Sequence, residues 1–384
     1  MNFELTCEQT ELQSRIQDFA RRELGADLAD RDARGVVDHQ DWRRDWDKCA
    51  AFGIFGLPVP PQYGGTDQGI INTVMALEAI GYGCADNGLG LGIGGQIWAV
   101  QEPLMTFGND AQKQKYLPGL ANGTLVGSLG LTELDAGSDI MNLKTSAVAK
   151  DGGYVLNGSK AFVGMAPACD FAIVFAKTAP DHGKWGISGF LVELEDKGFE
   201  RGKPEKKMGM RTIPMGDLHF NNCWIPEDRL LATEGAGMSI FQHIMEWERS
   251  FIFCGHVGAM ARQLEQCTKY ARERETFGKP IIEHQSVSNR LADMKLRLDS
   301  SRMHLYRVAS LKQAGKPCLQ EASMTKLQIS ESFVASSMDA IRIHGGNGYM
   351  SGIGVEHDLR DAVGGVIYSG TSDIQRQIIS QLLE

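Results

Sequence analysis

TSAVAKDGGYVLNGSKAFV, Thr145 to Val163, is the stretch that decides the fold. Short β-branched runs set off by turn signals predict strands. The same texture holds from about Thr124 to Ile225, through FAIVFAKT, GISGFLVEL and GDLHFNNCWI, and marks a compact β domain. Upstream the texture is helical. Thr6 and Gln9 have capping-box spacing, and Leu12, Ile16, Phe19 and Ala20 recur at helical intervals. Helical character continues through DWRRDWDKCAAFGIFGLPVP and INTVMALEAIGYG to about Leu117, broken by turns such as PQYGG at Pro61 to Gly65. After Gly235 it returns in HQSVSNRLADMKLRLDSSRMHLYRVASL, where Val287, Leu291, Met294, Leu298 and Leu305 keep one face apolar. The expected fold class is therefore α+β and multidomain. Residues 1–123 form an N-terminal all-α domain, 124–234 a middle β domain and 235–384 a C-terminal all-α domain.

Composition narrows the function. The chain has 384 residues, 42% hydrophobic and 23% charged, which excludes disorder and fibres. A net charge of -9 leaves no basic excess to neutralise phosphates, so nucleic acid is not an expected partner. The eight cysteines are scattered, with no C-x-x-C and no zinc-ligand spacing, which argues for reduced thiols and against a metal. MNFELTCEQTEL lacks the basic and apolar regions of a signal peptide, and no run reaches the roughly 18 apolar residues of a membrane span. A cytoplasmic protein is expected.

GLGLGIGG, Gly88 to Gly95, contains a formal G-x-G-x-x-G match. That motif needs a preceding strand, and here a helix precedes it, so a glycine-rich loop or close helix packing is expected instead.

Five segments far apart in sequence carry more information: LTELDAGSD (Leu131 to Asp139), NGSKAFVG (Asn157 to Gly164), RETFGKPIIEHQ (Arg274 to Gln285), IRIHGGNGY (Ile341 to Tyr349) and YSGTSDIQ (Tyr368 to Gln375). In this order, on an α–β–α background, they resemble the acyl-CoA dehydrogenase family across essentially the whole chain. The resemblance implies N-terminal helices, a middle β-barrel-like domain, a C-terminal four-helix bundle, non-covalent FAD and a homotetramer. Position by position, it implies that Leu129, Leu131, Thr132, Gly137 and Ser138 line the isoalloxazine ring, with Ser138 near the thioester arm. Phe162, Val163 and Gly164 fall on the segment whose last residue is ordinarily a threonine bonded to flavin N5, and here that hydroxyl is missing. Arg274, Thr276, Phe277, His284 and Gln285 match residues that reach FAD, partly from a neighbouring subunit. Arg342, His344, Gly345 and Gly346, with Thr371 and Asp373, match the segments holding the adenosine and phosphates, although Arg342 replaces the usual glutamine.

Taking the α-proton of an acyl thioester requires a base. In most family members a glutamate stands immediately before the Gly-Thr of the last motif, and here that position is Ser369, which has no proton affinity near neutral pH. Other members carry the base on an earlier helix ending Glu-Arg, and this chain offers HIMEWERSFIF with Glu246, Glu248 and Arg249. Residues two apart point about 200° apart on a helix, so both glutamates cannot enter one pocket. Glu246 is spaced to pair with Arg249. Glu248 has Ile244, Met245, Phe251 and Ile252 one turn away, and burial among them raises a carboxyl pKa towards a working base. Glu248 is the candidate base. Ser138, Glu246, Arg249 and Ser369 are the candidate substrate-side residues.

MEWER, GGYVLNGSKAFVGMAPACD, QSVSNRLADMKLRLDSSR and IYSGTSDIQ further resemble the branch that oxidises prolyl groups on peptidyl carrier proteins in natural-product biosynthesis. That implies a carrier-bound acyl thioester as partner, with RGKPEKKMGMR (Lys203, Lys206, Lys207, Arg211) as a candidate basic patch for an acidic carrier. Two other readings stay open: a short- or branched-chain acyl-CoA dehydrogenase, and a flavin-binding assembly partner without catalysis. Oxygen and an electron-transfer flavoprotein both stay open as electron acceptor.

Overall fold

The computed structural model describes residues 5–37 and 39–383. Residues 1–4, Asp38 and Glu384 lie outside the described residues. The first helix, Cys7–Glu23, begins at the expected capping box, with the Thr6 hydroxyl accepting from Gln9 N and the Gln9 side chain returning to Thr6 N. Its Ile16, Phe19 and Ala20 are buried. Helices dominate as far as Asp110–Ala121, strands run from Gly127–Gly130 to Leu230–Leu231, and helices resume with Gly237–Phe251. The three-part architecture is thus N-terminal helices, a middle sheet and C-terminal helices.

Among the described residues the middle sheet has eight strands. Its long central pair, Gly153–Gly164 and Met215–Pro226, is antiparallel, and the ladder runs open from Phe199–Arg201 to Leu230–Leu231. Gly127–Gly130 adds to it in parallel beside Phe171–Lys177. A buried ion pair ties the following loop to this sheet. Lys160, 0% exposed, reaches Glu133 at 2.7 Å and the Leu131 carbonyl at 3.1 Å. Glu133 also accepts from Thr145 Oγ1 and from the backbone N–H groups of Lys144 and Thr145. Burial opposes its charge, yet Lys160 and these donors hold its carboxyl below the ordinary value of 4.5.

In the C-terminal part, Gly237–Phe251, Cys254–Glu273, Gln285–Gln313 and Leu319–His344 pack as a helix bundle. Val287 is partly buried, and Leu291, Met294, Leu298 and Leu305 are buried. The glycine-rich stretch proves to be packing, not a loop. Asn87–Gly94 is helical, capped by Asp86, and a Cβ on Gly88 would stand 2.5 Å from Thr212 Oγ1. One on Gly92 would stand 2.6 Å from Ile213, so bare backbone lets the middle-domain segment close on this helix. Asn87–Gly94 runs into a π-helical turn, Gly95–Gln101, which brings Trp98 against the Gly237–Phe251 helix. Among the described residues no helix is long and apolar enough to cross a membrane.

Candidate active site

Glu248 lies in the last turn of Gly237–Phe251, with Ile244, Met245, Phe251 and Ile252 all buried around it. Burial pushes its carboxyl above the ordinary carboxylate range, and the Ser369 hydroxyl and Arg249 charge pull it back only in part. Ser369 Oγ donates to Glu248 Oε1 at 2.8 Å. The two candidate base positions, 121 residues apart in the chain, therefore meet at one carboxylate.

The expected Glu246–Arg249 pair does not form. Glu246 turns to Lys312 Nζ at 2.8 Å and to the Cys318 thiol and backbone N–H. Burial opposes the charge, but Lys312 and Cys318 hold Glu246 below its ordinary range. The cause is competition: position 246 faces the ends of two neighbouring helices, which supply Lys312 and Cys318, while the Ser369 carbonyl takes Arg249. Arg249, 8% exposed, instead donates from Nε to the Ser369 carbonyl at 3.4 Å. Lys312 also lies 4.7 Å from the Trp247 ring, which stacks on Trp98 at 5.8 Å. The helix carrying Glu248 is thus fixed on both flanks.

A second cluster lies elsewhere in the C-terminal part, around a cavity of about 510 Å³ lined by Arg274, Thr276, Phe277, His284, His344, Gly345 and Gly346, among others. Glu275–Thr276 and Lys279–Pro280 make a two-residue hairpin whose tip, Phe277 (φ 53) and Gly278 (φ 78), is left-handed throughout. Phe277 is 97% exposed, an unusual setting for a large aromatic at positive φ. Thr276 and His284 share a hydrogen bond at 3.2 Å. Arg274 is exposed and has no carboxylate partner among the described residues. Tyr270, one turn before Arg274, also lines the cavity and stacks on His344 at 4.3 Å.

Other expected positions behave differently. Val163 points into the core of the sheet, because side chains alternate along a strand, while Phe162 and Gly164 on either side are exposed. Leu129 and Leu131 are partly buried, Thr132 accepts from Ala161 N through its carbonyl, and Gly137 and Ser138 are exposed. Gln285 does not line the cavity, whereas its neighbours Ser286 and Val287 do. Arg342 does not line it either: with Arg290 and Arg297 it binds Asp339. The Thr371 hydroxyl caps Ser372–Gln381, and Asp373 is exposed and pairs with Arg376. The basic patch does not survive whole. Lys207 donates to the Ile213 carbonyl, with burial drawing its ammonium down to about 8, and Arg211 is spent on the Lys207 and Asp32 carbonyls. Lys203 and Lys206 remain exposed.

Three family models cover the chain: the acyl-CoA dehydrogenase N-terminal domain over residues 6–124, the middle domain over 128–223 and the C-terminal domain over 235–383. The chain belongs to the acyl-CoA dehydrogenase family. Within this acyl-CoA dehydrogenase family it is 42% identical to an L-prolyl-[peptidyl-carrier protein] dehydrogenase of Pseudomonas fluorescens, over 89% of this chain and 90% of that protein. The crystal structure of the prolyl acyl carrier protein oxidase AnaB is 42% identical with a TM-score of 0.96, covering 99% of this chain and 100% of that one. PigA, solved with FAD and proline, is 38% identical with a TM-score of 0.95, over 100% of this chain and 99% of that one.

Three contributors escaped sequence reasoning. Tyr270 carried a signal, since it stands one helical turn before Arg274. Gln375 lay inside the YSGTSDIQ motif, but its bonds to the Ser369 and Gly370 carbonyls could not be read from it. Lys326, 0% exposed in Leu319–His344 with its Nζ lacking a hydrogen-bond partner, carried none.

Proposed function

We propose that this acyl-CoA dehydrogenase binds FAD and oxidises a prolyl thioester held on a peptidyl carrier protein, with Glu248 as the base. The observation that carries the reading is the partly buried Glu248 carboxylate, on a helix turn whose apolar neighbours are buried, met by Ser369 at 2.8 Å. The residues present fit the cofactor. A cavity of about 510 Å³ is of ligand size, and Gly345 and Gly346 have open space where side chains would stand. Arg274 supplies a fixed, unpaired cation for a pyrophosphate. Thr276, Phe277, His284 and His344 would complete the adenosine side. Leu129, Leu131, Thr132, Gly137, Ser138, Phe162 and Gly164, with Val163 through its backbone, would hold the ring. Of the remaining expected positions, Gln285, Arg342, Thr371 and Asp373 would serve at its edge.

When bound, FAD supplies the two-electron acceptor that the oxidation requires. Glu248 removes the α-proton of the prolyl thioester, and its raised pKa makes the carboxylate a stronger base than an exposed one. Arg249 holds the Ser369 carbonyl and keeps the turn against the base. Glu246, bound to Lys312, fixes the helix from behind and takes no proton from substrate. Exposed Lys203 and Lys206 form the reduced basic surface offered to an acidic carrier.

The reading includes a cytoplasmic homotetramer with domain boundaries after 123 and 234. It is supported by exposed apolar side chains on the C-terminal helices and turns, among them Leu296, Met303, Tyr349 and Ile353. Reoxidation is by oxygen or an electron-transfer flavoprotein. The test is anaerobic flavin bleaching by a panel of prolyl-loaded carrier protein, butyryl-CoA and isovaleryl-CoA. The proposal expects bleaching by the prolyl carrier alone. Bleaching by an acyl-CoA makes the protein an ordinary acyl-CoA dehydrogenase, and bleaching by none leaves an assembly partner.

A further inference from the structure

The turn that carries Ser369 is constrained from two sides. Ser369 has φ 55 and Gly370 φ 85, and a left-handed serine is uncommon unless its surroundings impose it. Arg249 Nε donates to the Ser369 carbonyl at 3.4 Å. Gln375, wholly buried, donates from Nε2 to the Ser369 carbonyl at 3.4 Å and to the Gly370 carbonyl at 3.0 Å. A Cβ on Gly370 would stand 2.6 Å from Gln375 Nε2, so only glycine lets this amide reach both carbonyls. The conformation so imposed aims Ser369 Oγ at Glu248 Oε1, 2.8 Å away.

We propose that Ser369 is a positioning residue for Glu248: its hydroxyl, aimed by the Arg249–Gln375 clamp, occupies Oε1 and leaves Oε2 as the oxygen that receives the substrate proton. The inference rests on Glu248 being the base. A hydroxyl has one proton to donate, so the bond to Oε1 commits it. The other charged or titratable groups facing this carboxylate are Arg249 on its own helix and the Tyr368 phenol from the turn, and Lys326 from Leu319–His344 lies near Arg249. The Tyr368 hydroxyl and Lys326 Nζ are buried without hydrogen-bond partners, and neither donates to Glu248. Ser369 is therefore its one side-chain hydrogen-bond donor among the described residues. Donation favours the ionised form, so losing it raises the pKa of the base.

The decisive experiment is a pH titration of the FAD-loaded enzyme by infrared difference spectroscopy, with the Glu248 carboxyl band assigned by its loss in Glu248→Gln. Ser369→Ala and Ser369→Gly should both raise the Glu248 midpoint by about one pH unit, tenfold in ionisation, at unchanged flavin content. Glycine relieves the left-handed strain, so agreement between the two assigns the shift to the hydroxyl. Gln375→Leu, which keeps the hydroxyl and loosens the turn, should shift the midpoint the same way by less. An unshifted midpoint in both Ser369 variants overturns the proposal, as does a shift in Ser369→Ala that Ser369→Gly lacks. An unshifted Gln375→Leu overturns the clamp. The base reading fails separately, if Glu248→Gln is still reduced by a prolyl-loaded carrier protein.

Discussion

Around Glu248 the chain closes its own contacts: Ser369 donates to the carboxylate, Arg249 and Gln375 hold the turn, and Lys312 holds the helix from behind. Around Arg274 it leaves them open, with an unpaired guanidinium, a 97% exposed phenylalanine at a hairpin tip and a cavity of about 510 Å³. In the proposed function the closed region is preorganised for proton transfer, where misplacement of an ångström is costly. The proposed function assigns the completion of the open region to a cofactor and a second copy of the chain. On that reading the proton-transfer chemistry is built into one chain, and the binding of the nucleotide half is shared with a second copy.

That contrast can be broken from either side. The largest stability effect should come from Lys160→Met, which leaves Glu133 charged, buried and unpaired, and frees the Leu131 carbonyl; a loss of about 3–5 kcal/mol is expected in urea unfolding. A loss below about 1 kcal/mol would mean that this loop is not held by the ion pair. Arg274→Ala should weaken FAD binding by about 10- to 100-fold, the worth of a charged hydrogen bond, measured by flavin release on dilution. It should leave the Glu248 titration where it was, and a shift there would join the two regions that the contrast separates. Lys312→Met should cost about 1–2 kcal/mol, since it removes a half-buried ion pair and a cation–π contact. The acid side follows from the same groups. Glu133 and Glu246 have folded pKa values below 4.5, so their stabilisation is complete above pH 4.5 and is lost as pH falls through those lowered values. The gap in thermal unfolding between Lys312→Met and the parent protein should therefore narrow as the pH drops below that window, leaving the share owed to the Trp247 cation–π contact.

The sequence carried the architecture because periodicity is local: Ile16 to Ala20, Leu291 to Leu305 and the strand runs of the middle domain each declare their element within a few residues. It also carried the apolar setting of Glu248, whose buried neighbours stand one turn away on the same helix. What it could not carry was long-range pairing. Glu246 met Lys312, 66 residues on, and not Arg249 three residues on. Lys207 and Arg211 were drawn into backbone carbonyls, which removed half of a patch that looked solvated. Strand alternation turned the Val163 side chain into the core of the sheet. Ser369 was visible only as a missing glutamate, and its hydrogen bond to the carboxylate at the other position depends on folding 121 residues back on themselves.

The central claim meets its most direct test in stopped-flow anaerobic reduction of the FAD-loaded protein by a prolyl-loaded carrier protein, parent against Glu248→Gln. The account predicts bleaching in the parent and a rate lower by about 10²- to 10⁴-fold in the variant, with flavin fully retained. Bleaching of Glu248→Gln at the parent rate would contradict it.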